Sequence, residues 1–203
     1  MNYITIGRFT LPTDLLAAFA AIFLGALVYR IRNKKSIEDW YWNSFFLYII
    51  ISKLSYVLFN FSLFLDTPFS LLYFNGGTKG QILAFAGLAV YLFLTGKKQG
   101  NGVSYKDFLP VYFTFFMIYQ AALFALSQDF TAALFQAVVL AGFLLFYFKD
   151  ARFTPQFALL FLLLQALVSS LFSNLLATEN LLILALGIIL LAYQRMNKEE
   201  TQH

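Results

Sequence analysis

The stretch WYWNSFFLYIIISKLSYVLFNF (residues 40–61) decides the fold class, because Lys53 is its only charged residue. An α-helix needs about 20 predominantly apolar residues to cross the hydrocarbon core of a bilayer. Backbone groups in lipid must be hydrogen-bonded within their own segment, so a stretch of this kind is expected to be helical. The segment therefore predicts a transmembrane helix.

The composition of the whole chain predicts the same class of protein. Of its 203 residues, 61% are apolar, 20% are aromatic and 12% are charged, whereas soluble domains are about 45–50% apolar and about 25% charged. A soluble fold of this size has too few polar side chains to cover that much apolar surface. The composition excludes a disordered chain. The net charge of +4 does not predict a nucleic-acid binder, because the basic residues are scattered between apolar stretches.

Apolar stretches long enough, or nearly long enough, to span a bilayer recur along the chain with short connections between them. We predict an all-α, polytopic membrane protein that forms a single seven-helix membrane domain over residues 1–203 and leaves no room for a soluble domain. The predicted spans cover about residues 10–29, 40–61, 80–95, 108–126, 131–148, 156–176 and 180–194.

The distribution of basic residues predicts the orientation of these spans. Cytoplasmic loops are enriched in Lys and Arg, and with the N-terminus outside the inner segments hold eleven such residues and the outer segments two. We therefore expect an odd number of spans and a cytoplasmic C-terminus. The inner set is Arg30, Arg32, Lys34, Lys35, Lys97, Lys98, Lys106, Lys149, Arg152, Arg195 and Lys198, and the outer set is Arg8 and Lys79.

The chain offers little for metal or thiol chemistry. It has no cysteine, and its one histidine is the terminal residue His203. A thiolate metal site, a disulfide and a cysteine nucleophile on this chain are excluded, and a lone histidine at a terminus is typical of a solvated tail. We expect no metal and no cofactor.

Lys53 needs an explanation because it lies in the middle of a predicted span. A lysine at the centre of a bilayer costs about 2.5–3.5 kcal/mol on insertion scales, so it is expected to face a polar cavity or a partner. The alternative is that its side chain reaches the interface. The outer end of the span is about 12 Å away at 1.5 Å per residue, which is a long reach.

The segment DTPFSLLYFNGGTKGQ (residues 66–81) has the composition of an interfacial turn followed by a helix start. Its Asn-Gly-Gly sequence allows the backbone to approach a ligand closely. Glycine amides beside a lysine at the start of a helix suit a phosphate group, although an ordinary outer loop has the same composition. The lipid-headgroup candidates are Lys53, Tyr56, Asn75, Gly76, Gly77 and Lys79.

Three glutamines, Gln120, Gln136 and Gln165, lie in or near predicted spans. Neutral amides form hydrogen bonds between membrane helices at a modest gain of about 0.6–2 kcal/mol. Interhelical hydrogen bonding is the expectation for each of them taken alone.

Several motifs follow one another in a recognisable order, most clearly over residues 36–88. The run KLSYVLF (residues 53–59) is similar to a basic residue followed by a G-Y-V-L-F-like run, DTP (residues 66–68) to a D/N-P turn, and the glycine pair (residues 76–77) to a W-x-G-G motif. This order resembles the bacterial prolipoprotein diacylglyceryl transferase family over nearly the whole chain. The resemblance implies seven spans in the cytoplasmic membrane of a bacterium and transfer of diacylglyceryl from phosphatidylglycerol to the cysteine of preprolipoproteins.

The chain departs from that family at the positions that the resemblance assigns to catalysis. The histidine position holds Gln81, the glutamate position holds Gln136, and the arginine of the sixth span corresponds to Gln165, while the arginine of the second span is Lys53. An arginine- and glutamate-bearing signature after the fourth span is missing. Glutamine does not take a proton as histidine does, and it lacks the fixed bidentate fork that arginine offers to a phosphate.

Three functions remain open at the level of sequence. The first is a non-catalytic member of the resembled family that keeps a phospholipid-binding scaffold. The second is a working diacylglyceryl transferase of lipoprotein biosynthesis with a rearranged site. The third is a small transporter or channel built on an unrelated seven-helix bundle. A phospholipid, with phosphatidylglycerol as the implied species, is the expected partner.

Overall fold

A computed structural model of the chain describes residues 3–6, 9–74, 76–97, 105–149 and 154–200. These residues are predominantly helical, as expected from the composition. The described elements are β1 (Tyr3–Ile6), β2 (Phe9–Pro12), α1 (Thr13–Asn33), α2 (Asp39–Phe59), α3 (Phe61–Asp66), α4 (Ser70–Tyr73), α5 (Gly77–Lys97), α6 (Tyr105–Leu126), α7 (Phe130–Phe148), α8 (Pro155–Phe172) and α9 (Thr178–Glu200).

A short β-hairpin at the N-terminus is the one departure from the expected helical architecture among the described residues. Its antiparallel strands pair Ile4 with Leu11 and Thr5 with Thr10, and β-branched residues such as isoleucine and threonine favour strands. The helix of the first predicted span consequently begins at Thr13, directly after Pro12, and not at residue 10. Pro12 is the last residue of β2, and a proline can end a strand pairing because it has no backbone N–H to donate.

Each of the seven predicted spans overlaps a long helix. The sixth was predicted to run to residue 176, whereas α8 ends at Phe172 because the backbone of Ser173 is extended. The seventh was predicted to end at residue 194, whereas α9 continues to Glu200. Five of these helices are long and apolar enough to cross a membrane, namely Thr13–Asn33, Asp39–Phe59, Gly77–Gly96, Phe108–Leu126 and Phe130–Phe148. The apolar parts of α8 and α9, Gln156–Phe172 and Thr178–Tyr193, are shorter.

The outer faces of the helices are as apolar as a lipid environment requires. Phe23, Leu58 and Leu145 are 62%, 69% and 67% exposed, respectively. Exposed large apolar side chains recur on most of the described helices, and a soluble monomer rarely exposes apolar surface so widely. The membrane-embedded character predicted from composition is therefore supported by the placement of the side chains.

The chain divides into two compact units. Unit 1 comprises Met1–Ile37 and Lys106–Leu175, so its long helices are α1, α6, α7 and α8. Its core is aromatic: the Phe143 ring lies 5.1 Å from that of Phe161 and 6.1 Å from that of Phe113, measured between centroids. Edge-to-face and tilted ring pairs at these separations are favourable beyond the area they bury.

Arg32 links α1 to α7 within unit 1. Its Nε donates a hydrogen bond of 2.7 Å to the carbonyl oxygen of Tyr147, and its guanidinium carbon lies 4.2 Å from the centroid of the Tyr147 ring. The last carbonyls of a helix have no partner within the helix. Arg32 therefore satisfies one of the terminal carbonyls of α7 and makes a cation–π contact with the same residue.

Unit 2 comprises Glu38–Tyr105 and Leu176–His203 and contains α2, α3, α4, α5 and α9. Its main helix pair is α2 and α5, which run antiparallel and approach closely because glycines of α5 face α2. A Cβ atom placed on Gly80 would collide with Oγ of Ser55, and one placed on Gly87 with the side chain of Ile51. Small residues at intervals of about four allow membrane helices to approach in this way.

Candidate functional site

In unit 2, the segment between α2 and α5 folds back on the end of α2. The described lipid-headgroup candidates lie on this segment or on the helix ends beside it. Nζ of Lys53 donates a hydrogen bond of 3.1 Å to the carbonyl oxygen of Phe74. Phe74 follows the short helix α4, and the Lys53 side chain is half-buried. The lysine that sequence placed in mid-span thus reaches a backbone carbonyl near the start of α5, where a polar partner was expected.

Tyr56 holds α4 against α2. Its hydroxyl lies 2.8 Å from Oγ of Ser70, and its ring stacks on that of Phe74 with a centroid separation of 6.0 Å and an interplanar angle of 22°. The Tyr56 side chain is 3% exposed. We therefore assign Tyr56 a positioning role, because a buried side chain holds the segment in place and is not itself presented to a ligand.

Gly76 and Gly77 form the turn that opens α5. The N–H of Gly76 donates to the carbonyl oxygen of Ser52 at 3.2 Å, and a Cβ atom on Gly76 would collide with Oγ of Ser55. Gly77 has a φ of +59°, a conformation that glycine adopts without steric cost. Asn75, the remaining residue predicted for this turn, lies outside the described residues.

Lys79 lies in the first turn of α5 and is exposed. Its Nζ is 5.4 Å from the centroid of the Phe59 ring, which belongs to the last turn of α2. Lys53 and Lys79 therefore both contact the junction between the end of α2 and the start of α5. The sequence named both lysines as headgroup candidates, and the structure places each of them in contact with a residue at this junction.

The junction combines positive charge with an apolar rim. A helix N-terminus carries a partial positive charge that favours anions, and the two lysines add full charges beside the N-terminus of α5. The neighbouring rings of Phe59, Phe69 and Phe74 are 41%, 80% and 56% exposed. An arrangement of this kind can bind an anionic group while its apolar rim contacts hydrocarbon.

Gln81, at the position of the family's histidine, lies on α5 just beyond the junction. Its Nε2 donates to Oε1 of Glu179 on α9 at 3.1 Å. The Tyr48 ring of α2 packs at 5.4 Å against that of Phe85 on α5. Sequence reasoning missed Glu179, because its place in the first turn of α9 is what a helix N-terminus favours in any protein.

Gln136 and Gln165 lie in unit 1 and are buried. They are 0% and 1% exposed. Nε2 of Gln136 donates to the carbonyl oxygen of Met117 on α6 at 3.3 Å, which is the interhelical hydrogen bond expected for it. The side-chain N and O of Gln165 have no hydrogen-bond partner within the described chain, so the same expectation is not met for Gln165. The glutamines at the resembled family's histidine, glutamate and arginine positions thus belong to different units.

The described residues contain no group of three or more His, Cys, Asp or Glu side chains that could hold a metal ion. Comparison with protein-family models, with curated proteins and with solved structures finds no match for the chain. The functional argument therefore rests on the junction between α2 and α5 and on the physical chemistry of its residues.

Proposed function

We propose that the chain is a multi-pass membrane protein that binds the headgroup of an anionic phospholipid at the junction between α2 and α5. The proposal rests on two contacts at this junction, one made by Lys53 and one made by Lys79. Lys53 lies beside the carbonyl of Phe74, and Lys79 lies over the ring of Phe59.

The proposed topology has seven spans with the N-terminus outside and the C-terminus in the cytoplasm. The excess of basic residues in the inner segments supports it, and so do the seven long helices. In this orientation, Lys79 and the start of α5 lie at the outer surface of the membrane, within reach of phosphate groups. A bacterial cytoplasmic membrane, in which phosphatidylglycerol is the implied ligand, is part of the same proposal.

The ligand is proposed to be a phospholipid because the charged part of the junction matches a phosphate headgroup and the apolar part matches acyl chains. Lysine ammonium groups bind phosphate as point charges without the geometric demand of a guanidinium fork. The exposed rings of Phe59, Phe69 and Phe74 would contact the acyl chains of a lipid bound there. Desolvation at the edge of the hydrocarbon region strengthens each ammonium–phosphate contact compared with the same contact in water.

We propose further that the chain keeps the scaffold of a diacylglyceryl transferase without its chemistry. The Nε2 of Gln81 is engaged by Glu179, and glutamine has no basic group that would deprotonate a thiol. Gln136 and Gln165 are buried, so neither meets a substrate in the described arrangement. The binding of a lipid without its turnover is the function that these features support.

The proposal is tested by thermal unfolding of the protein in nanodiscs. In phosphatidylcholine discs doped with phosphatidylglycerol, binding to the folded state raises the unfolding temperature of the unmodified chain by about 5 °C when the sites are nearly saturated. The double variant Lys53→Met, Lys79→Met is expected to lose most of that rise. Lys149→Met, which removes an exposed charge in unit 1, serves as the matched control. This variant is expected to show the same rise in unfolding temperature as the unmodified chain. An equal rise in the double variant contradicts the proposal.

A further inference from the structure

Two buried glutamines on neighbouring helices of unit 1 leave most of their hydrogen-bonding capacity unused by the protein. Oε1 of Gln136 and both side-chain polar atoms of Gln165 are buried without a hydrogen-bond partner in the described chain. Each buried polar group left without a partner is costly, and the cost is greater where the surroundings are apolar. Such groups in native structures are usually satisfied by protein or by ordered water.

The orientation of the Gln136 amide is determined by its neighbour. Its Nε2 donates to the carbonyl oxygen of Met117, and exchanging the amide N and O would place two oxygens against each other. The oxygen is therefore the atom left over. It is an acceptor that needs a donor from outside its own helix.

Two ring contacts between α7 and α8 bracket the positions of Gln136 and Gln165. The rings of Phe135 and Phe172 form one contact between these antiparallel helices, at 5.2 Å, and those of Phe143 and Phe161 form another, at 5.1 Å. Gln136 and Gln165 both lie between these two contacts. Interpolating between them places the backbone positions of the two residues within about two helical turns of each other along the helix axes, and two glutamine side chains are long enough to approach one another over that separation.

A small polar ligand fits these observations. Gln136 and Gln165 are 0% and 1% exposed, so a lipid or a solute has no direct approach to them. A buried water typically makes about three hydrogen bonds to otherwise unsatisfied groups. One water that donates to the two side-chain oxygens and accepts from Nε2 of Gln165 would use all three unpartnered atoms.

We propose that Gln136 and Gln165 form an internal water site between α7 and α8. The site binds water as a structural ligand that joins the two helices through their amides. It explains why both residues are polar in the middle of apolar helices. The proposal is independent of lipid binding, because it concerns residues of unit 1 only.

A double-mutant cycle tests whether the two amides act as one unit. Methionine has nearly the length of glutamine and no strong hydrogen-bonding group. Gln136→Met and Gln165→Met therefore each remove one of the two amides that bind the water. We expect each single variant to unfold about 2–6 °C lower than the unmodified chain in neutral nanodiscs. The double variant is expected to recover to within about 2 °C of it, because no buried polar group is then left unsatisfied. Leu163→Met, at a 60% exposed position of α8, is the control.

Additive losses in the double variant overturn the proposal, because independent amides do not share a ligand. A density map that resolves ordered water in the unmodified protein separates the remaining possibilities and requires no variant. Density within hydrogen-bond distance of Oε1 of Gln136 and of the Gln165 amide supports the site. A direct hydrogen bond between the two amides, with no density between them, overturns it.

Discussion

Lys53 and Phe74, 21 residues apart in sequence, are joined by a 3.1 Å hydrogen bond from the lysine Nζ to the phenylalanine carbonyl oxygen. This bond brings a charge of α2 to the start of α5, where Lys79 supplies a second one. A lysine within a membrane helix is costly unless it has a polar partner. The cost of Lys53 is offset here by contact with a backbone carbonyl, and its position suits an anionic ligand at the same junction.

The contact between Gly80 and Ser55 predicts a substitution and its rescue. Gly80→Ala introduces a methyl group that collides with Oγ of Ser55, which is itself bonded to the carbonyl oxygen of Ser52. Overpacking of this kind costs about 1–3 kcal/mol, and we expect the unfolding temperature to fall by about 2–8 °C.

Adding Ser55→Ala to Gly80→Ala removes the colliding oxygen and leaves a 3.4 Å contact with Cβ of residue 55. The double variant is therefore expected to regain most of the lost stability. Gly142→Ala is the control, since a Cβ atom there has no neighbour within 4 Å. If the double variant is no more stable than Gly80→Ala alone, the α2–α5 packing described above is wrong.

The contacts of Arg32 predict that lysine cannot replace it. Lysine lacks the planar group that stacks on the Tyr147 ring while donating to the Tyr147 carbonyl. We expect Arg32→Lys to destabilise the protein by about 1–2 kcal/mol, judged from a charged hydrogen bond and a cation–π contact. The measurement is chemical or thermal unfolding in nanodiscs. Arg30→Lys, at an exposed position of the same helix, should change the stability very little. Equal losses of stability in the two variants would argue against the Arg32–Tyr147 contact.

The glutamines at the resembled family's catalytic positions predict the absence of transferase activity. We expect the chain, expressed at normal levels in a bacterium depleted of its own prolipoprotein diacylglyceryl transferase, to leave preprolipoproteins unmodified. The measurement is the mobility and mass of a reporter lipoprotein. An active transferase expressed from the same vector is the control. Lipid-modified reporter in cells that carry this chain alone would establish catalysis with a rearranged site.

The long helices were predictable because apolar length alone determines where a chain can span a bilayer. The positions of all seven followed from runs of Phe, Leu, Ile and Ala, and the errors fell at helix ends: the first helix begins at Thr13 after the N-terminal hairpin, α8 ends at Phe172 and α9 continues to Glu200. A hairpin of four-residue strands was not predicted because its signal is weak beside a long apolar helix.

The residues of the candidate site were chosen from the sequence, but their contacts could not be predicted from it. Lys53 and Lys79 stand out as cations next to apolar sequence, and the glycine pair indicates a turn. The partner of Lys53 is a backbone carbonyl, which has no signature in sequence. Tyr56 was assigned to the headgroup site, whereas its hydroxyl is bonded to Ser70 in a buried position. The pairing of Gln81 with Glu179 joins residues 98 positions apart and also had no local signal.

Photo-crosslinking with phosphatidylglycerol that carries a photoreactive group on its headgroup tests lipid binding at the α2–α5 junction most directly. Mass spectrometry of the labelled chain in phosphatidylcholine nanodiscs is expected to find the label on residues 53–59 and 76–80. Labelling of these residues should fall severalfold in Lys53→Met, Lys79→Met and persist in Lys149→Met. Labelling of this junction that is unchanged in the double variant, or that occurs only elsewhere on the chain, would contradict the proposed headgroup site.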